Sequence, residues 1–295
     1  MSVTTDPAVG AVPERAGPAG PETLTIVPAR HPWRWVATAV VVVLLAQLVH
    51  GLVTNPVWDW GTFAAFFTAD SILKALGVTV QLTVYGTVLG FALGLVLALL
   101  RLSGSPFLRA VAFGYVWAFR SIPLIVQLLF WFNLSVLYRR LDFGIPFGPG
   151  FFSFDTRDMV SSMGAAVLGL ALHQAAYAAE IVRAGVLSVD PGQREAAAAL
   201  GIPRLRQLRR IVLPQAMRAI LPNAANEVIS LFKGTSIVSV MAIGELFYQV
   251  QVVYGRNTRV IPLLMVATVW YVLLTTVLSV LQHYVERRYA RGAAR

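Results

Sequence analysis

One stretch of the sequence decides the fold class. Residues 72–100 read ILKALGVTVQLTVYGTVLGFALGLVLALL, and Lys74 is the only charged side chain among these 29 residues. A helix of about 20 apolar residues crosses the hydrocarbon core of a bilayer, so this stretch is long enough to span a membrane. It therefore predicts a transmembrane helix.

Apolar runs of similar length lie on both sides of this stretch. We predict six spans, at about residues 33–53, 72–100, 108–137, 159–182, 222–247 and 261–284. Only 13% of the 295 residues are charged, against roughly 25% in soluble domains, which excludes a soluble globular enzyme. The sequence thus predicts an all-α integral membrane protein, preceded by a disordered, cytoplasmic Pro- and Ala-rich tail over residues 1–32.

The basic residues predict the orientation in the membrane. With odd-numbered spans entering from the cytoplasm, 16 of the 24 basic residues lie on inner connectors and five on outer ones. Because cytoplasmic connectors are enriched in Lys and Arg, we predict a multi-pass protein of the cell membrane with both termini in the cytoplasm. This bias also explains the net charge of +10, so no nucleic-acid partner is predicted.

Residues for catalytic or metal chemistry are scarce in this chain. It has no cysteine, its four histidines are dispersed, and it contains no G-x-x-x-x-G-K-[ST] phosphate loop. We therefore predict no catalytic residue, no metal and no cofactor, and we interpret the chain as a non-enzyme.

The connector over residues 188–214 contains signals for two short helices. Asp190 and Pro191 are typical of a helix start, the residues to Leu200 are strong helix formers, and Gly201 ends the helix. A second helix is predicted from Arg204 to Leu213, its arginine side suited to anionic headgroups and its end set by Pro214. The residues alone allow two interpretations. These helices either brace the bundle or form a docking site for a partner protein.

The spacing within this connector resembles the EAA loop of ABC importer permeases. Glu195-Ala196-Ala197 is followed after three residues by Gly201, and further on by Ile211 and Leu213-Pro214 at the spacing of that motif. The resemblance implies a coupling helix that fits a cleft in a cytoplasmic ATPase. The coupling residues that it implies are Glu195, Ala196, Ala197, Leu200 and Gly201.

Other segments resemble the polar amino-acid subfamily of these permeases, the histidine, glutamine and glutamate type. They are Arg120–Pro123, Ala176–Arg183, Asp190–Gln193, Leu213–Ala216 and Leu221–Ser236, although Gly234 stands where the family commonly has Asp. The resemblance covers residues 72–288. It implies a five-helix type I importer core, to which residues 33–54 add an N-terminal transmembrane helix.

The same resemblance implies the partners of the chain. These are an ABC ATPase dimer that binds the ATP, a second permease subunit of the same or another kind, and an extracytoplasmic substrate-binding protein. The implied substrate is a polar amino acid.

Polar side chains within the predicted spans are candidates for the translocation pathway. Asn223, Asn226, Ser230 and Lys233 recur at helical spacing and form one stripe, which lines a pathway or bonds to a neighbouring helix. Lys233 is the charged member of this stripe. Because a charged side chain inside a bilayer is energetically costly, it is a candidate for a functional role or for pairing.

Two more spans carry candidates. Arg120 precedes Pro123, which should kink its helix, and the guanidinium needs an acceptor such as a freed carbonyl or an acid of another helix. It is interpreted as a gate or substrate contact, or as a structural lock. In the second span, a Gly repeat at residues 86, 90 and 94 predicts close helix packing, whereas Gln81 and Thr83 are placed to reach a pore.

Two other functions are alternatives to the permease. An ion-coupled secondary transporter needs a carboxylate inside the membrane, but Glu180, Glu227 and Glu245 are all interpreted as lying near span ends. A membrane-embedded enzyme lacks a recognisable metal or nucleophile cluster. The sequence therefore favours the permease.

Overall fold

The structure is a computed structural model, and it describes residues 32–145, 148, 150–155 and 161–290. The predicted disorder of residues 1–31 falls outside the described residues. The chain divides into two units, residues 1–55 and 56–295, each of which is described by itself.

The first unit contributes one helix, α1, from Pro32 to Thr54. Most of its side chains are apolar, and nearly all of them are exposed. A helix that is hydrophobic on every side is suited to a lipid environment, in agreement with the predicted span at residues 33–53.

The second unit is a helical bundle with one hairpin. In chain order its elements are a 3₁₀ turn Pro56–Trp58, α2 Trp60–Phe67, α3 Asp70–Arg101, α4 Pro106–Ser121, α5 Leu124–Phe132, α6 Leu134–Leu137, β1 Arg140–Gly144, β2 Gly150–Asp155, α7 Ser162–Leu187, α8 Pro191–Ala199, α9 Arg204–Gln207, a π turn Leu208–Val212, α10 Leu213–Gly234, a 3₁₀ helix Thr235–Met241, α11 Leu246–Asn257 and α12 Val260–Ala290.

The centre of the bundle is the pairing of α3 with α7. Gly86, Gly90 and Gly94 are buried on one face of α3 and let its backbone approach the alanine-rich face of α7. A Cβ built on Gly94 would lie 2.6 Å from the Cβ of Ala178, so only glycine fits there. The interpretation of the glycine repeat as a packing face is confirmed.

The third predicted span is broken at Pro123. The kink expected at Pro123 is confirmed and is a sharp break, because α4 and α5 meet at an angle of 103°. The side-chain amide of Gln127 donates hydrogen bonds to the carbonyl oxygens of Phe119 and Ile122, both at 2.7 Å. These carbonyls lose their helical partners at the break, so Gln127 satisfies them where the chain turns.

The expected helix end at Pro214 is wrong. The chain stays helical from Arg204 to Met241, and Pro214 is the second residue of α10, directly after the π turn. The transition occurs in the π turn, where the Leu213 N–H donates to the Leu208 carbonyl oxygen. The helix therefore begins before the predicted span at residues 222–247, whose last two residues belong to α11.

A β-hairpin lies between α6 and α7, within the outer connector of the sequence prediction. β1 and β2 pair antiparallel, with Arg140 opposite Asp155 and Asp142 opposite Ser153. This hairpin is the one sheet in the described part of the chain, which is otherwise mostly helical, as predicted.

Asp59 joins the start of α2 to the start of α12. Its carboxylate accepts hydrogen bonds from the Thr62 hydroxyl at 2.7 Å and the Thr62 N–H at 3.1 Å, and it pairs with Arg259 at 2.9 Å. These contacts, those with Thr62 first, hold the pKa of Asp59 below its usual value.

Four described helices are long and apolar enough to cross a bilayer: α1, α3, α7 and α12. The number becomes six when each of two bent pairs counts as one span, α4 with α5 and the Arg204–Met241 stretch with α11. This arrangement agrees with an integral membrane bundle of up to six spans.

Candidate functional site

The helix α8 is delimited at both ends by the predicted caps. At its start the Asp190 carboxylate accepts a hydrogen bond from the Gly192 N–H at 2.7 Å. At its end the N–H groups of Gly201 and Ile202 donate to the carbonyl oxygens of Ala198 and Ala197, at 2.9 and 3.1 Å. Gly201 has φ +67°, which glycine adopts without strain. α8 is therefore a short helix with a cap at each end.

The predicted coupling residues are not equally accessible. Glu195, Ala196, Leu200 and Gly201 are exposed, with Leu200 78% exposed. Ala197 is buried, because α8 lies against the π turn Leu208–Val212. The first four residues are therefore accessible, while Ala197 packs α8 against the bundle.

A charge cluster links the ends of α3 and α7 that lead into the connectors. Glu180 pairs with Arg183 at 2.7 Å and with Arg101 at 2.9 Å. Arg101 was missed because it is distant in sequence, and only the packing of α3 on α7 brings it to the carboxylate.

Arg120 lies in a polar hollow beside this cluster. Its guanidinium stacks over the Tyr177 ring, 5.2 Å from the centroid. The freed carbonyls expected as its acceptors are taken by Gln127 instead. The hollow of about 350 Å³ is lined by Arg101, Phe113, Val116, Trp117, Arg120, Ser121, Tyr177 and Glu180.

The polar stripe of α10 is exposed along its whole length. Asn223, Asn226, Ser230 and Lys233 all have exposed side chains. The Asn226 amide oxygen accepts a hydrogen bond from the Gln282 side chain of α12 at 3.1 Å. The stripe therefore forms an open polar surface of the single chain, with one link to a neighbouring helix.

The two candidates on α3 differ in exposure. Gln81 is exposed, whereas Thr83 is 7% exposed and donates to the Thr79 carbonyl at 2.8 Å. Thr83 also borders an apolar groove that it shares with Val228 and Phe232, which lie off the stripe. The structure thus does not place Thr83 on the exposed polar surface.

Glu245 is a buried carboxylate that the sequence interpretation placed near a span end. It lies instead at the break before α11 and is fully buried. Its oxygens accept from the N–H groups of Phe247 and Tyr248 at 3.0 and 2.6 Å and from the Tyr271 hydroxyl at 3.2 Å. The signal available in the sequence was a lone acid within a long apolar region.

Comparison with known proteins agrees with this architecture. Residues 90–291 match the family described as binding-protein-dependent transport system inner membrane component. The chain belongs to this family of ABC importer permeases. It is therefore a multi-pass membrane protein and a transport subunit.

Individual permeases are similar over most of the chain. The arginine transport system permease protein ArgU of Corynebacterium glutamicum is 39% identical over 288 residues, covering 95% of this chain and 87% of that protein. The octopine transport system permease protein OccM of Rhizobium radiobacter is 35% identical over 227 residues, covering 76% and 86%. The first match is long enough to include α1.

A solved structure supports the fold of the permease. The crystal structure of an amino acid ABC transporter with histidines has a TM-score of 0.64 and 32% identity, covering 74% of this chain and 94% of that chain. The predicted importer fold is confirmed.

Proposed function

We propose that this permease is the membrane subunit of an ATP-driven importer for a polar amino acid, coupled to a separate cytoplasmic ATPase dimer through α8. The observation that carries the proposal is the exposed, doubly capped α8, with Glu195 and Leu200 free to contact a partner. In this proposal both termini are cytoplasmic, and an extracytoplasmic binding protein delivers the substrate.

The arrangement of α8 suits the transmission of movement. Because Ala197 is buried and α8 rests on the π turn, a push on α8 is passed to the helical stretch Arg204–Met241. That stretch includes α10, which bears the polar stripe. Closure of an ATPase dimer would therefore move the stripe without any contact between the ATPase and the pathway.

The exposed stripe also supports a second permease subunit. Polar side chains facing lipid would leave hydrogen-bonding groups unsatisfied, so a surface with Asn226, Ser230 and Lys233 needs water or protein against it. A second subunit, identical or not, would enclose this surface as the translocation pathway.

The Arg120 hollow suits a substrate carboxylate. Glu180 and Arg101 in its wall already pair with each other, so the Arg120 guanidinium, beside aromatic walls, is the charged group left for a ligand. ArgU and OccM are named for the transport of arginine and octopine, which supports this class. We assign Arg120 to the substrate carboxylate.

The coupling proposal predicts release of the ATPase by changes on α8. Glu195→Lys or Gly201→Trp should reduce the ATPase that co-purifies with the permease about ten-fold, because α8 is altered where it is exposed. Asp142→Lys, an equally exposed charge reversal on the hairpin, is the matched control and should retain the ATPase. Full co-purification with both α8 variants would contradict the proposal, and uptake without any ATPase would favour the ion-coupled transporter.

The pathway proposal predicts an effect of Asn226 on uptake alone. Asn226→Leu should lower substrate uptake in proteoliposomes at least five-fold with ATPase attachment unchanged, because the stripe loses a polar group. Gln282→Leu removes the same hydrogen bond and leaves Asn226 in place, so it should retain uptake. Equal losses in the two variants would assign Asn226 to helix packing instead.

A further inference from the structure

Four arginines crowd the beginning of the helical stretch that continues into α10. Arg204, Arg206, Arg209 and Arg210 fall within seven residues, and all four side chains are exposed. Among the residues that the structure describes, none of them has an acidic partner within ion-pair distance. Four like charges without a counter-charge repel one another, so this cluster is suited to an anionic ligand.

Three of these arginines converge on one hollow. Arg206, Arg209 and Arg210 line a depression of about 580 Å³, together with Pro203 and Leu205. Arg209 and Arg210 follow Arg206 by three and four residues, so the three side chains lie on the same helix face. The site combines three cationic side chains with two apolar ones, a combination that a free inorganic anion does not require.

The apolar side chains near the cluster indicate a membrane surface. Leu205 is 68% exposed and Leu208 38% exposed, whereas Val212 one turn further on is buried. Exposed leucines between arginines are typical of a segment at the boundary between headgroups and acyl chains.

The place of the cluster in the fold favours the same ligand. The helix runs without interruption from Arg204 into α10, so the arginines occupy the last turns before the bilayer. Juxtamembrane clusters of this kind attract anionic headgroups. The π turn at Leu208–Val212 within the cluster adds an irregularity that is frequent at functional sites.

We propose that Arg206, Arg209 and Arg210 bind the phosphate of an anionic phospholipid such as phosphatidylglycerol, with Leu205 against its glycerol and upper acyl region. This site lies beside α8 and is independent of the transport proposal. A bound lipid neutralises the cluster and fixes the base of the coupling loop at the membrane surface.

The test measures lipid binding to the full-length permease. The purified chain in detergent is titrated with phosphatidylglycerol, and retained lipid is counted by native mass spectrometry. Arg209→Gln with Arg210→Gln should weaken binding about 30-fold, or about five-fold for each charge removed. The double Lys variant at the same positions keeps the charges and should stay within about three-fold of wild type.

A matched pair of arginines tests whether binding is local. Arg287→Gln with Arg288→Gln removes two adjacent exposed charges from the end of α12 and should leave the affinity unchanged. An equal loss in this variant would show general adsorption by charge and overturn the proposed site.

Two further compounds distinguish an anionic phospholipid from other ligands of similar chemistry. Phosphatidylcholine of the same chain length should not saturate the site, and glycerol phosphate, a free phosphate ester, should bind at least 100-fold more weakly than phosphatidylglycerol. Equal binding of either compound would overturn the assignment to an anionic lipid. Loss of the co-purifying ATPase from the Arg209→Gln, Arg210→Gln variant in lipid-free detergent would also overturn the assignment. The cluster would then belong to a protein interface.

Discussion

Replacing Gly94 by valine is expected to abolish folding of the permease, whereas valine at Gly77 of the same helix leaves it folded. A Cβ on Gly94 would lie 2.6 Å from the Cβ of Ala178 and 2.9 Å from the carbonyl oxygen of Ala175. The second contact is with the backbone of α7, which cannot move aside as a flexible side chain would. The helices must separate, at a cost of about 3 kcal/mol or more.

Gly77 provides a control within the same helix. Nothing lies within 4 Å of a Cβ built at Gly77, so Gly77→Val should change the free energy of unfolding by less than about 1 kcal/mol. Both variants are measured by the yield of monodisperse protein on size exclusion in detergent and by thermal unfolding. A monodisperse Gly94→Val protein of wild-type stability would contradict the α3–α7 packing.

Replacing Glu245 by alanine is expected to lower the free energy of unfolding by about 3 kcal/mol, the second largest effect. The carboxylate accepts from two N–H groups at the start of α11 and from the Tyr271 hydroxyl of α12. Alanine leaves these buried donors without an acceptor, at about 1–3 kcal/mol each when nothing replaces it. Thermal and denaturant unfolding in detergent measure the change.

A double-mutant cycle with Tyr271 separates this network from simple loss of packing. Tyr271→Phe alone should cost about 1 kcal/mol, because one hydrogen bond is lost. In the Glu245→Ala background the same change should cost nothing or stabilise, because the hydroxyl there already lacks its carboxylate acceptor. Additive effects in the cycle would show that the two residues are not coupled.

Much of the fold could be predicted because it depends on local composition. Runs of apolar residues predict helices in a bilayer wherever they occur, and the glycine repeat on α3 predicts close packing without knowledge of its partner. The break at Pro123 was predicted only as a kink. Its angle of 103° depends on Gln127, whose amide satisfies the freed carbonyls from the next helix.

The candidate coupling helix was predictable for the same local reason. Asp190 and Gly201 act within one or two turns, so the bounds of α8 follow from sequence neighbours. The burial of Ala197 was not predictable, because it depends on the packing of α8 against a π turn that begins nine residues after α8 ends.

The sequence by itself determined the membrane character, the family motif and the capped helix α8, because each rests on residues that are adjacent or at helical spacing. Only the tertiary structure decided that Arg120 stacks on Tyr177, that the Glu245 carboxylate accepts from Tyr271 of α12, and that Arg101 pairs with Glu180. These features depend on which helix faces pack together and which stay exposed. A local stretch of sequence does not show which distant residues its side chains will contact.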